Sequence, residues 1–425
     1  MHAGIICKIG EISKHSNADS LYITKLFGTQ IIVKDDVKEG DIGIYFNSDL
    51  QLSQEFCDAN KLLRKAHGGY IDDSKRNVRA LKLRGEISDG LWLRLSSLET
   101  FGDTSKLQVG QHVSEFNGKQ IACKYIPVQN EPRIDTSTKK QKGSNSSMKT
   151  KYPTLVEHID TMQYDYNKHR LQVGDMVEIT LKMHGTSNRT CYSLKKSTKT
   201  NFLRKLLKLP IIVKTSWDYV SGTRRVVLKS NGEDSFYKDT FRKNWHDFLI
   251  GKLHKGETVF SEIVGYLDSG KPIMPSADNK KVNDKSFVKQ YGDKTVYSYG
   301  CQENENDMYV YRMTLTNEDG HCVEYSPEQM RQRCEQIGVK PVPVLWSGII
   351  TDMDEFDKLV TELSDGVDPI GKTHIREGVI IRKLNSPTIE VLKKKGQTFK
   401  ILENLVKDSG VLDMEEAESL EAQEV

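Results

Sequence analysis

One lysine near the middle of the chain has neighbours that suit covalent chemistry. Lys182 directly follows the largely apolar segment 177–181, and Gly185 comes three residues after the lysine. A lysine at a strand end is held in a fixed position, and low-dielectric surroundings favour its neutral, nucleophilic amine. Glycine lets the backbone approach a bound ligand closely. Taken alone, this short pattern is weak evidence, because most lysines at strand ends are ordinary surface residues.

Two carboxylates interrupt segments that are otherwise apolar. Glu262 lies within the predicted strand 258–264, and Glu377 precedes the predicted strand 378–382. A carboxylate is costly to bury unless it is paired with a cation or bound to a ligand. For either residue alone, a structural ion pair is the default alternative.

Alternating residues suggest two further pairs of interest. If residues 391–395 form a strand, Lys393 and Lys395 point to one face. Two lysines on one face repel each other unless an anion lies between them, although a solvated edge strand would also explain them. Tyr309 and Tyr311 share a face of another predicted strand, where one ring could stack on a base. Core packing is the alternative for both tyrosines.

The segments that must position these residues predict two domains. Residues 1 to about 120 contain short β-branched segments separated by turn residues, as in a small barrel. Residues 136–151 have almost no apolar content and suggest a flexible linker. Later segments mix strands and helices, which predicts an α+β domain of antiparallel sheets. We assign the domains as follows: 1–125 barrel, 126–151 linker, 152–412 α+β domain, 413–425 acidic tail.

Local signals refine this prediction at three places. Ser326 and Pro327 have the residue types of a helix cap and first turn, and residues 354–363 also suggest a helix. Residues 195–214 hold no acidic side chain. They could form a basic helix along a phosphate backbone, a solvated surface insertion or, less naturally, a membrane-surface helix.

Composition limits the class of protein. The 425 residues are 37% hydrophobic and 28% charged, with a net charge of +3, as expected of a soluble globular protein. No apolar run approaches the roughly 20 residues of a membrane helix, and the N-terminus lacks the features of a signal peptide. The seven cysteines include no Cys-x-x-Cys pair, so we expect neither a disulfide framework nor a zinc knuckle. These features favour a cytoplasmic protein.

The order of these pieces resembles the covalent nucleotidyltransferase superfamily of ligases and capping enzymes. That superfamily combines a lysine motif, an arginine after a small hydroxyl residue, a strand glutamate, an aromatic strand, Glu-Gly and a final Lys-x-Lys. Arg224, after Thr223, occupies the arginine position. Ser261 departs from the glycine that is common before the glutamate.

Details narrow the resemblance further. The motif 182–185, with His184 where aspartate is usual, is similar to nick-sealing RNA ligases that carry an N-terminal OB module. The segments 15–21, 38–41 and 83–91 resemble the same module, in which Tyr45 and Trp92 could stack on nucleic acid or belong to the core. Only about thirty residues follow Lys395, too few for the further OB domain of DNA ligases and capping enzymes.

The resemblance implies an ATP-dependent RNA ligase that repairs RNA or seals nicks. It would join 3′-hydroxyl and 5′-phosphate ends through lysyl-AMP and an adenylylated polynucleotide, with Mg²⁺ or Mn²⁺ as metal. Its expected partner is RNA or an RNA-containing duplex, and not a membrane. The implied site residues are Lys182 as nucleophile, Arg224 and Glu262 for the ribose, Tyr311 (or Tyr309) for adenine, Glu377 for the metal, and Lys393 and Lys395 for the α-phosphate.

Two alternatives remain open from the sequence. The chain could be a DNA nick ligase, because no motif shows how the 2′-hydroxyl would be read. It could also be a nucleic-acid-binding protein with an inactive ligase domain, although the complete set of motif residues argues against decay. The sequence does not decide the natural RNA, the need for a template, the oligomeric state or the role of residues 195–214.

Overall fold

The computed structural model describes residues 3–48, 50–125, 151–159, 161–199, 212–224, 226–228, 240–282, 284–384, 386 and 389–408. The chain forms two compact units. Among the described residues, unit 1 contains 3–125, Asp165–Lys168 and 397–408, and unit 2 contains the rest. The linker predicted at 126–151, apart from Lys151, and the acidic tail lie outside the described residues.

Unit 1 consists mainly of short antiparallel strands. They are β1 (Gly4–Lys8), β2 (Ile12–Lys14), β3 (Leu21–Leu26), β4 (Thr29–Lys34), β5 (Ile42–Phe46), β6 (Leu50–Leu52), β7 (Ala80–Leu83), β8 (Glu86–Asp89), β9 (Leu91–Arg94), β10 (His112–Val113), β11 (Glu115–Phe116), β12 (Lys119–Gln120) and β13 (Ala122–Lys124). Its first helices are α1 (Gln54–Ala59) and α2 (Arg64–His67). The larger sheets are β10-β1-β5-β9 and β2-β3-β4, and the remaining strands pair as β6–β13, β7–β8 and β11–β12.

Alternation along β5 fills two hydrophobic clusters. Ile44 and Phe46 are buried in one cluster, and Tyr45 lies in the other with Trp92. Because successive side chains of a strand point to opposite faces, β5 contributes to a core on each side. Tyr45 is 1% exposed and Trp92 is 8% exposed. The alternative of core packing therefore describes both aromatic residues, and neither ring presents a face for stacking.

Unit 2 contains longer strands with helices between them. Its strands are β14 (Met162–Gln163), β15 (Met176–Lys182), β16 (Thr186–Lys199), β17 (Ile212–Gly222), β18 (Glu257–Gly265), β19 (Ala277–Asp278), β20 (Lys294–Thr295), β21 (Asn306–Thr316), β22 (Cys322–Glu324), β23 (Lys340–Pro341), β24 (Val344–Ile349), β25 (Gly378–Lys383) and β26 (Glu390–Lys395). The short helix α3 (Tyr164–Asn167) begins in unit 2 at Tyr164 and continues in unit 1, and the further helices of unit 2 are α4 (Thr240–Leu249), α5 (Lys285–Tyr291), α6 (Pro327–Ile337) and α7 (Met353–Ser364). Short 3-10 helices occur in unit 1 at Leu95–Phe101 and Thr104–Lys106, in unit 2 at Asn279–Val282, and at Lys168–Arg170, where Lys168 belongs to unit 1.

Two mainly antiparallel sheets dominate unit 2. One has the strand order β14-β26-β25-β15-β24, and the other has the order β17-β16-β18-β21-β22. The parallel pairs in these sheets involve two short strands, β14 with β26 and β23 with β21. Buried aliphatic side chains of β15 and β25, among them Val177 and Ile381, pack on α7 residues such as Phe356. The predicted α+β domain of antiparallel sheets is confirmed.

The helix signals read from the sequence correspond to capped helices. The Ser326 hydroxyl accepts a hydrogen bond from the Gln329 N–H, and the Gln329 side chain accepts one from the Ser326 N–H. This reciprocal capping box, with Pro327 in the first turn, satisfies N–H groups that have no partner inside the helix. At α7, the Asp352 carboxylate accepts from the N–H groups of the first turn. Both predicted helices are confirmed.

The basic helix considered for residues 195–214 is wrong at both ends of that segment. Residues 195–199 belong to β16 and residues 212–214 belong to β17. The two strands form a long antiparallel ladder in which Ser197 lies opposite Lys214 and Lys195 lies opposite Ser216. Backbone pairing between the two halves decides this conformation, which a pattern of charges alone does not reveal. Residues 200–211 lie outside the described residues.

The last described helix belongs to unit 1. In α8 (Gln397–Asp408), the Lys400 ammonium lies 2.6 Å from Oδ2 of Asp89. Burial disfavours the charge of Lys400, but the adjacent Asp89 carboxylate outweighs it and raises the lysine pKa above its usual value. A buried pair of this kind stays charged because each partner compensates the other. Within the described part of the chain, no helix combines the length and apolar character needed to cross a membrane.

Candidate active site

The register of the five-stranded sheet brings three predicted lysines to one face. Lys182 of β15 lies opposite Gly378 of β25, which in turn lies opposite Lys395 of β26. Two residues along the same strands, Ile380 lies opposite Lys393. Directly opposed residues of an antiparallel sheet, and residues two apart in one strand, place their side chains on the same face. The nucleophile candidate and the Lys-x-Lys pair therefore share one surface.

The intervening lysine faces the other way. Lys394 is buried, and its ammonium lies 5.7 Å from the centre of the Tyr164 ring. Tyr164 belongs to the hydrophobic core on the opposite side of the sheet, together with Leu392. The prediction that residues 391–395 form a strand with Lys393 and Lys395 on one face is confirmed. Their role toward a phosphate stays a prediction.

Lys182 and Glu377 are in direct contact. Nζ of Lys182 lies 2.6 Å from Oε1 of Glu377, and Nδ1 of His184 lies 3.7 Å from Oε2 of the same carboxylate. Glu377 is 3% exposed. No described residue forms a hydrogen bond with its Oε2. A buried carboxylate with one free oxygen is costly, and it has the donor type that Mg²⁺ and Mn²⁺ prefer, so it fits a metal ligand.

The glycine of the lysine motif is required by the protein's own backbone. A β carbon at Gly185 would lie 2.3 Å from the carbonyl oxygen of Ile263 and 2.7 Å from a methyl group of Val264. Both neighbours belong to β18, which pairs with β16 directly after the motif. Close approach to a strand therefore requires this glycine, and the close approach to a ligand that the sequence suggested stays a prediction.

Glu262 and the tyrosines lie on the second sheet. Glu262 of β18 is opposite Ser187 on one side and Tyr309 on the other. The ladder between β18 and β21 shifts register here, because Ser261 is opposite Val310 while Phe260 is opposite Arg312. The shift leaves Tyr311 between these two pairs as a bulge. Bulges redirect side chains locally, so simple alternation does not place Tyr311.

Contacts distinguish Tyr311 from Tyr309. The Tyr311 hydroxyl lies 3.3 Å from Nδ1 of His158 and 3.5 Å from the Ser187 hydroxyl, and the ring is half buried. Tyr309 is 5% exposed, and the Lys340 ammonium lies 5.8 Å from its ring centre. Burial raises the pKa of Tyr309 well above its usual value. Of the two rings, Tyr311 is the more accessible to a ligand.

Arg189 is a candidate residue that the sequence analysis missed. It is 2% exposed, and its Nη1 donates a hydrogen bond to the Val156 carbonyl at 2.7 Å. No described residue accepts a hydrogen bond from its Nε. Burial lowers the pKa of Arg189, although Glu157 and Tyr311 oppose that effect. A charged residue inside an apolar strand was the signal that identified Glu262, whereas the residues around Arg189 in β16 are polar, so the sequence carried no such signal for it. His158 likewise has no comparable signal in the sequence.

The predicted arginine lies where β17 ends. Arg224 is half buried and directly follows Thr223, whose N–H donates to the Val226 carbonyl at 2.8 Å. A β carbon at the preceding Gly222 would lie 2.9 Å from Nε of Arg189. The turn that carries Arg224 thus starts beside Arg189.

Ser261, which stands where the family commonly has glycine, is fully buried. Its hydroxyl donates a hydrogen bond to the Asn188 carbonyl at 3.4 Å.

Charged bridges connect the two sheets that carry these residues. Glu324 of β22 accepts from Arg312 of β21 at 2.8 Å and from Arg382 of β25 at 2.5 Å. Helix α6 adds a second bridge, because Arg331 pairs with Glu178 of β15 and Arg333 pairs with Glu257 of β18. The strand of Lys182 and the strand of Glu262 are therefore held by the same helix.

Comparisons with known proteins agree with this geometry. A family model described as RNA ligase matches residues 175–402, and one described as an OB-fold domain matches residues 4–95. No curated protein sequence matches the chain.

Solved structures of Naegleria gruberi RNA ligase have a similar fold. A mutant of that enzyme with AMP and manganese is 16% identical, with a TM-score of 0.61 and coverage of 94% of this chain and 98% of that chain. The same enzyme with pyrophosphate is 18% identical, with a TM-score of 0.59 and coverage of 93% and 97%. A mutant with ATP and manganese is 16% identical, with a TM-score of 0.59 and coverage of 94% and 98%. The predicted OB-fold domain and ligase-type domain are confirmed, and the chain belongs to the RNA ligase family.

Proposed function

We propose that this protein is an ATP-dependent RNA ligase that seals breaks between a 3′-hydroxyl and a 5′-phosphate. The observation that carries the proposal is the shared face of Lys182, Lys393 and Lys395, with Glu377 in contact with Lys182. One nucleophilic amine beside two further cations is the arrangement that a covalent transfer of a nucleotide needs.

In the first step, the neutral amine of Lys182 attacks the α-phosphorus of ATP. A nitrogen–phosphorus bond forms, the bond to the β-phosphate oxygen breaks, and pyrophosphate departs with that electron pair. The proton lost from the lysine passes to solvent or to the adjacent Glu377. Lys393 and Lys395, on the same face, would neutralise the charge that develops on the α-phosphate.

Residues of the second sheet would hold the nucleotide. Tyr311 is proposed to stack on adenine, since its half-buried ring is more accessible than that of Tyr309. Arg224 and Glu262 are proposed to bind the ribose. The position of Glu262 between Ser187 and Tyr309 in the ladder supports a place beside the base and sugar.

Glu377 is proposed to hold Mg²⁺ or Mn²⁺, directly or through water. Its free, buried oxygen supports this role. Structures of the Naegleria gruberi enzyme with ATP and manganese show that a protein of this fold is compatible with both. A divalent ion at this carboxylate supplies positive charge beside Lys182, which favours the neutral amine.

The later steps use the polynucleotide. AMP passes from Lys182 to the 5′-phosphate end, and the 3′-hydroxyl then attacks that activated phosphate and releases AMP. We propose RNA repair or nick sealing in the cytoplasm as the context. Support for RNA comes from the family match, and the OB-fold domain is of a type that binds nucleic-acid strands.

The test is transfer of label from α-labelled ATP to the protein, after pyrophosphate has removed any AMP already attached. We expect acid-resistant label on the wild type and none on Lys182→Ala. Nicked duplexes that differ only in ribose or deoxyribose at the 3′-hydroxyl end then test the substrate. Faster sealing with ribose supports the RNA assignment, equal rates contradict it, and an unlabelled wild type contradicts the ligase proposal itself.

A further inference from the structure

Three segments of unit 2 meet behind the lysine motif. The N–H of His184, two residues after Lys182, donates a hydrogen bond to the Tyr299 hydroxyl at 2.7 Å. Tyr299 is 3% exposed. Its hydroxyl is therefore a buried acceptor that holds the backbone of the turn after the nucleophile. Tyr299 is not among the site residues that the sequence analysis identified.

Tyr299 is itself held in a strained conformation. Its φ is +50°, a value that residues other than glycine rarely adopt. The next residue, Gly300, also has a positive φ of +82°. A β carbon at Gly371 would lie 2.4 Å from the Gly300 nitrogen, so the two loops touch through their backbones. Strain of this kind persists only where surrounding contacts hold the residue firmly.

His374 supplies those contacts from the segment that leads to Glu377. The Tyr299 N–H lies 3.4 Å from Nε2 of His374, and the two rings meet edge to face at 4.5 Å. Nδ1 of His374 lies 2.8 Å from the Ile375 carbonyl. Nδ1 therefore carries the proton and Nε2 accepts. His374 is fully buried, so its ring has one fixed orientation.

A second tyrosine joins the same segments. The Tyr297 ring lies 4.5 Å from the His184 ring and 5.2 Å from the His374 ring, edge to face in both cases. Six residues before His374, the Asp368 carboxylate accepts hydrogen bonds from the N–H groups of Ile370 and Gly371. The segment 368–377 is thus braced before it reaches Glu377, at the same tyrosines that brace His184.

We propose that Tyr299 is a positioning residue, which fixes the turn after Lys182 relative to Glu377 and so sets the geometry for attack on ATP. The inference rests on the proposed function. Tyr299 touches neither the nucleotide nor the metal in this role. It acts through the His184 N–H, and through His374 it connects the lysine motif to the segment that carries Glu377. Loss of the hydroxyl would remove the acceptor of the half-buried His184 N–H and let the turn move.

The role predicts which step depends on Tyr299. Formation of lysyl-AMP requires in-line attack by Lys182, which depends strongly on its position. Sealing of an RNA end that is already adenylylated does not use Lys182 as a nucleophile. Tyr299→Phe should therefore slow lysyl-AMP formation by about ten- to a hundredfold, and change sealing of pre-adenylylated RNA by no more than about twofold.

Tyr325→Phe is the matched control. The Tyr325 hydroxyl donates to Glu257 at 3.1 Å in the same unit, so this variant also loses a hydroxyl that bonds a buried group. We expect it to lower the melting temperature while leaving the ratio of the two rates unchanged. His374→Leu removes the acceptor for the Tyr299 N–H but keeps a bulky side chain. It should lower the rate of lysyl-AMP formation relative to that of sealing, as Tyr299→Phe does, and it replaces Tyr299→Phe in the test if that variant does not fold.

Each outcome decides the inference. An equal fall in both rates for Tyr299→Phe, or no fall in lysyl-AMP formation, would overturn it, because a general loss of stability does not select one step. A wild type that forms no lysyl-AMP would instead overturn the proposed function. Slow lysyl-AMP formation with normal sealing of adenylylated RNA is the expected result.

Discussion

The ammonium of Lys182 lies 2.6 Å from the carboxylate of Glu377. The two residues are far apart in sequence, and the contact arises because β15 and β25 are neighbours in the five-stranded sheet, with Lys182 opposite Gly378. Glu377 thus serves as the counter-ion of the proposed nucleophile while its second oxygen stays without a hydrogen bond among the described residues. A metal at this carboxylate would compete with the lysine for the same negative charge.

Glu377→Gln is expected to reduce lysyl-AMP formation by about a hundredfold, because the variant removes the charge that would hold the metal. Initial rates over a range of Mg²⁺ and Mn²⁺ concentrations measure this effect, and Mn²⁺ binding measured by paramagnetic resonance provides a readout that does not depend on activity. Glu390→Gln is the control, since Glu390 pairs with Arg170 at 2.9 Å near the surface of the adjacent strand. Unchanged metal dependence in Glu377→Gln would contradict the assignment.

Alternation along β26 predicts a pattern of three single variants. Lys393→Ala and Lys395→Ala should each slow lysyl-AMP formation by about ten- to a hundredfold, because each removes a charged contact to phosphate. Lys394→Met should leave that rate unchanged, since Lys394 faces the core beside Tyr164. Single-turnover rates at saturating ATP measure the pattern. A loss of activity in Lys394→Met with normal folding, or full activity in the other two, would show that the assigned face is wrong.

The buried pair of Glu257 and Arg333 predicts loss of stability in acid. Both oxygens of Glu257 accept hydrogen bonds from Arg333 at 2.8 Å. Burial opposes the charge of Glu257, but Arg333 and the His254 N–H outweigh it and hold its pKa below the ordinary value of 4.5. The unfolded chain therefore binds a proton at higher pH than the folded chain does. The stabilising contribution is complete above about pH 4.5 and is lost as pH falls through the lower folded pKa.

Urea unfolding across this acidic range measures the effect. Glu257→Gln should lower the free energy of unfolding at neutral pH by about 3 kcal/mol, because Arg333 loses its buried counter-charge, and the remaining stability should fall less steeply in acid. Glu335→Gln changes an exposed glutamate of the same helix as Arg333 and should behave as the wild type. An acid dependence of Glu257→Gln identical to that of the wild type would show that other groups control it.

Local patterns in the sequence determined a large part of the architecture. Alternation predicted β26 and the shared face of Lys393 and Lys395, and capping residues predicted the start of α6 at Pro327. Both signals depend only on residues within a few positions of each other, so they need no knowledge of tertiary contacts. The order of motifs along the chain identified the family, because that order is preserved whatever the loops between them contain.

Tertiary structure decided what depends on segments distant in sequence. Three features each require two strands or loops to lie side by side. They are the hydrogen bond from His184 to Tyr299, the hydrogen bond from the buried Arg189 to the Val156 carbonyl, and the bulge at Tyr311. The strands of residues 195–199 and 212–214 likewise depend on pairing with each other, which their charges did not reveal. The sequence by itself determined the residue types, the faces of single strands and the family. Only the fold decided which of those faces meet, because burial, register and hydrogen bonding are properties of pairs of segments.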